Sequence, residues 1–496
     1  MNLAMLLDMA VDAFGERTAL KCAGRELQYR ELRTAALAAA AQLRGLSHLA
    51  LLDTNSLATA VALFGAAYAG VPYVPLNYRL SATELAELLG RIAPAWLIAP
   101  RPQRQALALP ECIRCSDSEA LLAGAAAAAA PAELPAAEDA IAIQLFTSGT
   151  TGKPKAALLT HANLMSYVLG TVEFAGAGSE EAALLAVPPY HIAGISALLS
   201  STYAGRRLVM LPAFEPAEWV RLALAEHITH AFLVPTMLVR IMDQLAKQGA
   251  VRFPALRAIA YGGGRMPRSV IERALEVFAG VDFTNAYGLT ETSATVCLLT
   301  PEEHRAALAG SDSAARQRLS SVGRPLPGIE LEVRDAAGQR LGARQPGLIF
   351  VRGAQVGGSY RDSGSLLDAQ GWFATQDRGW MDAAGYVFLD GRADDVIVRG
   401  GENISPGEIE ETLLQHAAVA DAVVVAVASE EWGEAVAAAV VLKPGAAATP
   451  ETLRDFVRAR LRSSRVPERI VLRSELPYNE MGKVLRRVVR SELERR

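Results

Sequence analysis

The sequence predicts an α/β protein: a large N-terminal unit of βαβ-type sheets followed by a smaller α+β unit. Three observations predict it. At 496 residues the chain exceeds what one compact core normally holds. Its first third alternates short apolar runs with helix-like stretches, the rhythm of βαβ units and parallel sheets. After Gly391-Arg392 the composition shifts, and about a hundred residues follow with a strand and helix pattern of their own.

Taken in order, residues 49–52 read as a strand, 56–68 as a helix closed by Gly70, and 71–74 as the next strand. Residues 121–139 are alanine-rich and contain Pro131 and Pro135, a pliable connector with no chemistry assigned. Residues 140–146 form an apolar strand, 147–155 a loop, and a helix is expected to begin near His161 or Asn163. Strand, loop and helix in that order make an anion cradle, because a helix start offers unpaired N–H groups. Farther on, Ser405-Pro406-Gly407-Glu408 reads as a capping box with proline at the first helical position, and Ile409 and Leu413 give that helix a buried stripe. Strands at 422–428 and 435–442 and a helix opened by Thr449-Pro450 complete the small unit. From 452 to 496 there are 13 Lys and Arg against 6 Asp and Glu, which suits either a solvated tail or a lid over polyphosphate.

Composition narrows the function. A net charge of -4 offers no global basic field for nucleic acid, and no apolar run is long enough to span a bilayer. The start, Met1-Asn2-Leu3 with Asp8 close behind, lacks the basic then apolar pattern of a signal peptide, so a cytoplasmic address is expected. The cysteines at 22, 112, 115 and 297 are too few for a disulfide framework. Cys112 and Cys115 form a lone C-x-x-C without a second pair or nearby histidines, and read as ordinary thiols rather than a zinc or redox site. Lysine is scarce: six residues, at 21, 153, 155, 247, 443 and 483, among 49 basic ones. Three of the six fall in two glycine-containing loops, where a compact ammonium differs chemically from a guanidinium fork.

The sharpest motif is Thr147-Ser148-Gly149-Thr150-Thr151-Gly152-Lys153-Pro154-Lys155. Glycines let backbone N–H groups approach phosphate, hydroxyls add donors and lysines add charge. It is not a Walker A loop, since two residues separate Gly149 from Gly152-Lys153 and Pro154 stands where Ser or Thr would follow the lysine. A second stretch, Asn285-Ala286-Tyr287-Gly288-Leu289-Thr290-Glu291, brings together an aromatic ring, a hydroxyl and a carboxylate. These can pack on a purine, bond a phosphate and hold Mg²⁺.

With Asp377, Gly391-Arg392 and Lys483, these stretches resemble, in motif order and over nearly the whole chain, the adenylate-forming superfamily. That superfamily holds acyl- and aryl-CoA synthetases, firefly-type luciferases and peptide-synthetase adenylation domains; the chain is most like an acyl-CoA synthetase. The resemblance implies an adenylate-forming domain over 1–393 that includes a small barrel-like part, and a mobile domain over 394–496 hinged at Asp394. It implies ATP, Mg²⁺ and coenzyme A, with Thr147 and Glu291 on the metal, Thr290 on the phosphates and Lys483 as the adenylation lysine. Asp377 would grip the ribose hydroxyls with Arg392 assisting; Gln376 stands where the family more often has glycine. Gly263, Gly264, Asn285, Tyr287 and Gly288 would join the nucleotide site. His191, in Pro188-Pro189-Tyr190-His191-Ile192-Ala193-Gly194, would gate the acid pocket, with Val234, Gly262 and Leu289 against the acid. Gly400, Gly401 and Glu402 would line the thiol tunnel. No Asp near His191 waits for an α-ammonium, and Arg265 is the one candidate for a second carboxylate. The implied reaction joins an apolar fatty or aryl monocarboxylate to coenzyme A through an acyl-adenylate. Loading of an acyl carrier protein and a nucleotide-binding homologue without turnover are the alternatives.

Overall fold

Runs of apolar residues buried on both faces make parallel strands, and helices that are apolar all round must lie between sheets. Both occur in the computed structural model, which describes residues 1–123, 139–147, 154–249, 251–310, 313–479 and 482–495. Strands Thr18–Cys22, Arg207–Met210, Ala182–Leu185, His230–Leu233, Ala258–Gly262 and Asp282–Leu289 run parallel in a nine-stranded sheet. An eight-stranded sheet is centred on His48–Leu51, Tyr73–Pro75 and Ala95–Ile98. Helix Leu57–Ala69, started at Ser56 and stopped by a left-handed Gly70, is buried along almost its whole length in the core shared by the two sheets.

The barrel-like part is a four-stranded antiparallel sheet, Glu330–Arg334, Gly347–Arg352, Phe373–Met381 and Val387–Arg392. From its last strand a short turn, Ala393–Asp395, leads into a five-stranded sheet that contains Val419–Ser429 and Gly433–Leu442. Period-two alternation covers both faces of this sheet. Val424, Val436 and Ala438 pack with Ile409, Leu413, Leu453 and Val457; Val423, Val425 and Ala437 pack with Val489 and Leu493. Ile409 and Leu413 thus form the expected stripe, and Thr449 caps the helix Pro450–Arg458.

Two local expectations are corrected. The helix His161–Thr171 begins where predicted, but Lys155–Thr160 ahead of it is a strand paired with Ile141–Thr147. Burial of Ala156, Ala157 and Leu159 against the core requires the extended form. The loop therefore joins two antiparallel strands, with Thr147 opposite Lys155, and does not sit on a helix start. The capping box at 405–408 does not form either. The Ser405 hydroxyl donates to the Asp390 carbonyl at 2.6 Å, and Glu408 pairs with Arg465. The serine ties its helix to the barrel-like sheet instead of to its own first turn.

Most of the alanine-rich connector, residues 124–138, lies outside the described residues. Cys112 is exposed, Cys115 is half-buried and both are free thiols; among the described residues no group of three or more His, Cys, Asp or Glu is arranged to hold a metal. Among them, too, no helix is long and apolar enough to cross a membrane.

Candidate active site

Asp377 is buried, 8% exposed, and opposite Arg392 across neighbouring antiparallel strands. Arg392 Nη1 donates to its Oδ1 at 3.1 Å and to the Thr375 carbonyl at 3.0 Å, while the Tyr287 hydroxyl donates to Oδ2 at 2.6 Å. The Thr375 hydroxyl accepts from the Asp377 N–H and donates to the Ile349 carbonyl, fixing the backbone on either side. This is a positioned carboxylate, not a surface ion pair. The ring of Tyr287 belongs to the apolar cluster of Val296, Cys297 and Ile349, so in this arrangement the residue offers the site its hydroxyl rather than a free aromatic face. Gln376, in place of glycine, adopts a left-handed φ of 63°.

Lys483 comes to this carboxylate from the other unit. Asn479 and Lys483 close a turn: Asn479 N–H donates to the Lys483 carbonyl at 2.9 Å, and the Lys483 N–H to Asn479 Oδ1 at 2.8 Å. Gly482, at φ 66°, fits because it has no side chain. A Cβ there would lie 2.0 Å from Thr236 Oγ1, in the first turn of helix Pro235–Gln248 of the large unit. The loop is thus seated on the large unit one residue before the lysine. Lys483 as a residue stays exposed, yet its ammonium is held below the ordinary lysine range, first by lost hydration and then by Arg392; Asp377 and Asp395 act in the opposite direction. Charges from both units therefore act on one ammonium: Asp377 and Arg392 of the large unit, Asp395 and Arg486 of the small one.

Glu291 lies in the turn Thr290–Thr292, which follows the strand carrying Tyr287. Its carbonyl accepts from the N–H groups of Gly357 and Gly358, and its carboxylate accepts the hydroxyl of Tyr360. Tyr360 also bonds Thr147, and Lys155 Nζ stands 5.9 Å from its ring centre. Burial, with the Glu291 charge second, pushes the Tyr360 hydroxyl well above the usual phenol range, so it stays a donor. One phenol thus spans the two oxygens expected on Mg²⁺. Hard oxygen donors of this kind, few in number, fit an ion that takes most of its shell from substrate phosphates and water. Tyr360 was missed from sequence; its only signal is the Gly357-Gly358 pair, which lets the backbone approach Glu291. Ser148, Gly149, Thr150, Thr151, Gly152 and Lys153 lie outside the described residues.

Backbone crowding explains the other glycines of the site. A Cβ on Gly288 would lie 1.6 Å from the Ala294 carbonyl oxygen, and one on Gly262 2.1 Å from that of Ala286. Gly263 has φ 76°, and Gly264 borders Pro235. Asn285 donates to the Ser321 carbonyl at 3.1 Å and so steadies a neighbouring turn. Val234 is fully buried at the start of helix Pro235–Gln248, and Leu289 is half-buried beside Thr290. His191 precedes the helix Ile192–Ala204, its ring 4.6 Å from that of Tyr190, which meets Tyr78 edge-on at 5.4 Å.

Two groups of residues do not join. Gly400 and Gly401 form the two-residue turn between Ile397–Arg399 and Glu402–Ile404, both at positive φ as such a hairpin requires. Gly400 packs on Trp432, and Glu402 pairs with Arg465 at 2.7 Å, contacts internal to the small unit. Arg265 is not waiting for a second carboxylate. It donates to the Gly407 carbonyl at 2.8 Å, to Glu410 at 3.3 Å and to Glu411 at 3.0 Å, all across the boundary between units. Its guanidinium is thus engaged by the helix Pro406–Leu414 of the small unit and two of its carboxylates.

Against known proteins, a family described as AMP-binding enzyme matches residues 7–361, and its C-terminal domain matches residues 408–483. A fatty acid–[acyl-carrier-protein] ligase of Streptomyces coeruleorubidus is 33% identical, over 95% of this chain and 92% of its own length. A 2-succinylbenzoate–CoA ligase of Bacillus mycoides is 32% identical, over 90% of this chain and 88% of its own. Among solved structures, the o-succinylbenzoate CoA synthetase of Bacillus subtilis in complex with its acyl-adenylate intermediate superimposes with a TM-score of 0.82 at 28% identity, covering 99% of this chain and 97% of that one.

Proposed function

The chain belongs to the family of AMP-binding enzymes, and from that premise we propose that it is an AMP-forming acid–CoA ligase for an apolar monocarboxylate. A carboxylate resists a thiol because oxide leaves poorly and the anion repels nucleophiles. ATP removes both obstacles. A carboxylate oxygen attacks the α-phosphorus, pyrophosphate leaves with the electrons of the broken bond, and the mixed anhydride carries AMP as a good leaving group. The thiol then attacks the acyl carbon, loses its proton, and AMP departs. Such chemistry asks the protein to position reactants and neutralise charge.

Asp377, held by Tyr287 and Arg392, accepts the ribose hydroxyls. Lys483 neutralises charge at the α-phosphate during the first step. Thr147 and Glu291, steadied by Tyr360, would hold Mg²⁺, which supplies charge neutralisation on the phosphates; Thr290 and the loop 148–153 add donors. Asp394, exposed in the turn between sheets, is the hinge separating residues 1–393 from 394–496. Rotation there withdraws Lys483 and brings Gly400, Gly401 and Glu402 to the thiol, with His191 as the gate.

The observation that carries the reading is the seating of the Gly482-Lys483 turn on Thr236 of the large unit, which brings the Lys483 ammonium under the charges of Asp377 and Arg392. The apolar character of Val234, Phe232 and Ile192, which lie in the segments expected to border the acid, and the engagement of Arg265 elsewhere support an acid without a second charge. Incubation with ATP, Mg²⁺, CoA and a panel of fatty and aryl acids is expected to yield AMP, pyrophosphate and a thioester; ADP as product would overturn it. Transfer to a holo-carrier protein is the second reading, favoured by the carrier-protein ligase similar over 95% of the chain; thioester yield with free CoA against holo-carrier decides between them. A homologue without turnover would show no pyrophosphate exchange into ATP. A cytoplasmic address accords with this small-molecule chemistry.

A further inference from the structure

Glu410 is a carboxylate only 6% exposed, yet it accepts four hydrogen bonds from three groups. Its oxygens accept from the Val424 N–H at 2.8 Å, from Arg486 at 2.5 and 3.0 Å, and from Arg265 at 3.3 Å. Arg486 stands three residues after Lys483, and its Nε lies 3.3 Å from Asp395, next to the proposed hinge. Lys483, the hinge turn and Glu410 are therefore joined through one guanidinium. Asp395, Glu410, Val424 and Arg486 all follow the hinge residue Asp394, so they travel together when the small unit turns. Arg265 alone belongs to the large unit.

We propose that Arg265 is a positioning residue for the adenylation step: it latches the helix Pro406–Leu414 so that Lys483 stays over Asp377, and it lets go for thioester formation. This rests on the two-step reading above. The device is reversible for a physical reason. A buried carboxylate that loses its sole partner is strongly penalised, but Glu410 keeps Arg486 and the Val424 N–H after Arg265 departs. Arg265, 44% exposed, regains water on release. Latching therefore biases the arrangement without freezing it. Gly407 completes the seat: a Cβ there would come within 2.7 Å of Arg265 Nη1 and 2.9 Å of the Asp390 carbonyl oxygen.

The test separates the half-reactions. Arg265→Ala is expected to lower acid-dependent pyrophosphate exchange by up to about a hundredfold, the scale of a ~1 Å misplacement of a catalytic group, while thioester formation from supplied acyl-adenylate holds or rises. Arg265→Lys should restore part of the exchange. Gly407→Ala, a better helix former that blocks the seat, should give the same split. Equal loss of both half-reactions in Arg265→Ala, or no loss of exchange in either Arg265→Ala or Gly407→Ala, overturns the latch. Failure of the unaltered protein to exchange pyrophosphate would instead overturn the enzymatic reading.

Discussion

The two sides of the site are built in opposite ways. On the large unit, Asp377, Tyr287 and Glu291 are fixed by strand pairing, short hydrogen bonds and backbone contacts too tight for any residue but glycine at 262 and 288. On the small unit, Lys483 sits in a loop seated by one glycine, and the larger contacts across the boundary are polar: Arg265 with Glu410 and Glu411, Ser405 with Asp390. A rigid floor must hold a nucleotide in one geometry. An arm that visits two positions needs contacts that water can replace at small cost. The apolar surface of the small unit is used within it, so that its own core does not depend on the boundary.

The largest expected effect breaks the arm alone. Lys483→Ala should lower adenylation by about 10²–10³-fold, the scale of removing one preorganised charge from a developing anion. Conversion of supplied acyl-adenylate to thioester should be nearly unchanged, and single-turnover assays of each step check the split. Because lost hydration and Arg392 hold its pKa below the ordinary 10.5, the alkaline limb of kcat/KM for ATP should fall at a pH below that of a free lysine. The limb should vanish in Lys483→Arg, which stays charged throughout.

Next in size comes a change in the floor. Tyr360→Phe removes the hydroxyl that spans Glu291 and Thr147, and should raise the Mg²⁺ concentration needed for half-maximal exchange by about 10- to 100-fold. An Mg²⁺ titration checks it; an unchanged requirement would mean that the phenol is not steadying the metal oxygens.

A third prediction concerns the rigidity of the large unit. His161 is buried, accepts the Leu3 N–H at 3.2 Å, and has its pKa lowered to about 4, by burial first and then by the N-terminal charge. Because the folded value lies below the unfolded one, its contribution is full above pH 6.5 and is lost as pH falls toward 4. Between pH 7 and 5 the loss is about 2 kcal/mol. Urea unfolding at the two pH values checks this, and His161→Asn, which keeps an acceptor without a titrating ring, should flatten the difference. The smallest effect is expected at Gln376. Replacing it with glycine relieves a left-handed conformation worth about 1–2 kcal/mol, offset by about 0.5–1 kcal/mol of added chain entropy. Thermal unfolding should rise slightly, and ATP affinity should not change if the carboxylate is already well held.

Legibility in the sequence follows the same division. Residues whose roles depend on neighbours a few positions away could be read: Tyr287 to Glu291 as one stretch, Gly482-Lys483 as another, and 56–68 as a helix closed by Gly70. The helix start at His161 was equally local. The strand Lys155–Thr160 was not, since its extended form is set by pairing with Ile141–Thr147. Ser405 was read as a cap because the local pattern allows one, whereas its hydroxyl is taken by a carbonyl fifteen residues away.

The amino-acid order by itself determined the α/β architecture, the two units and the residue types able to handle a triphosphate, because periodicity, turn chemistry and short motifs are local properties of the chain. Only the tertiary structure decided that Tyr360 serves Glu291 across 69 residues, that Thr236 receives Gly482, and that Arg265 faces carboxylates of the small unit instead of a substrate. Those pairings arise where separate sheets and helices come within hydrogen-bond reach, and such distances are set by the packing of whole elements.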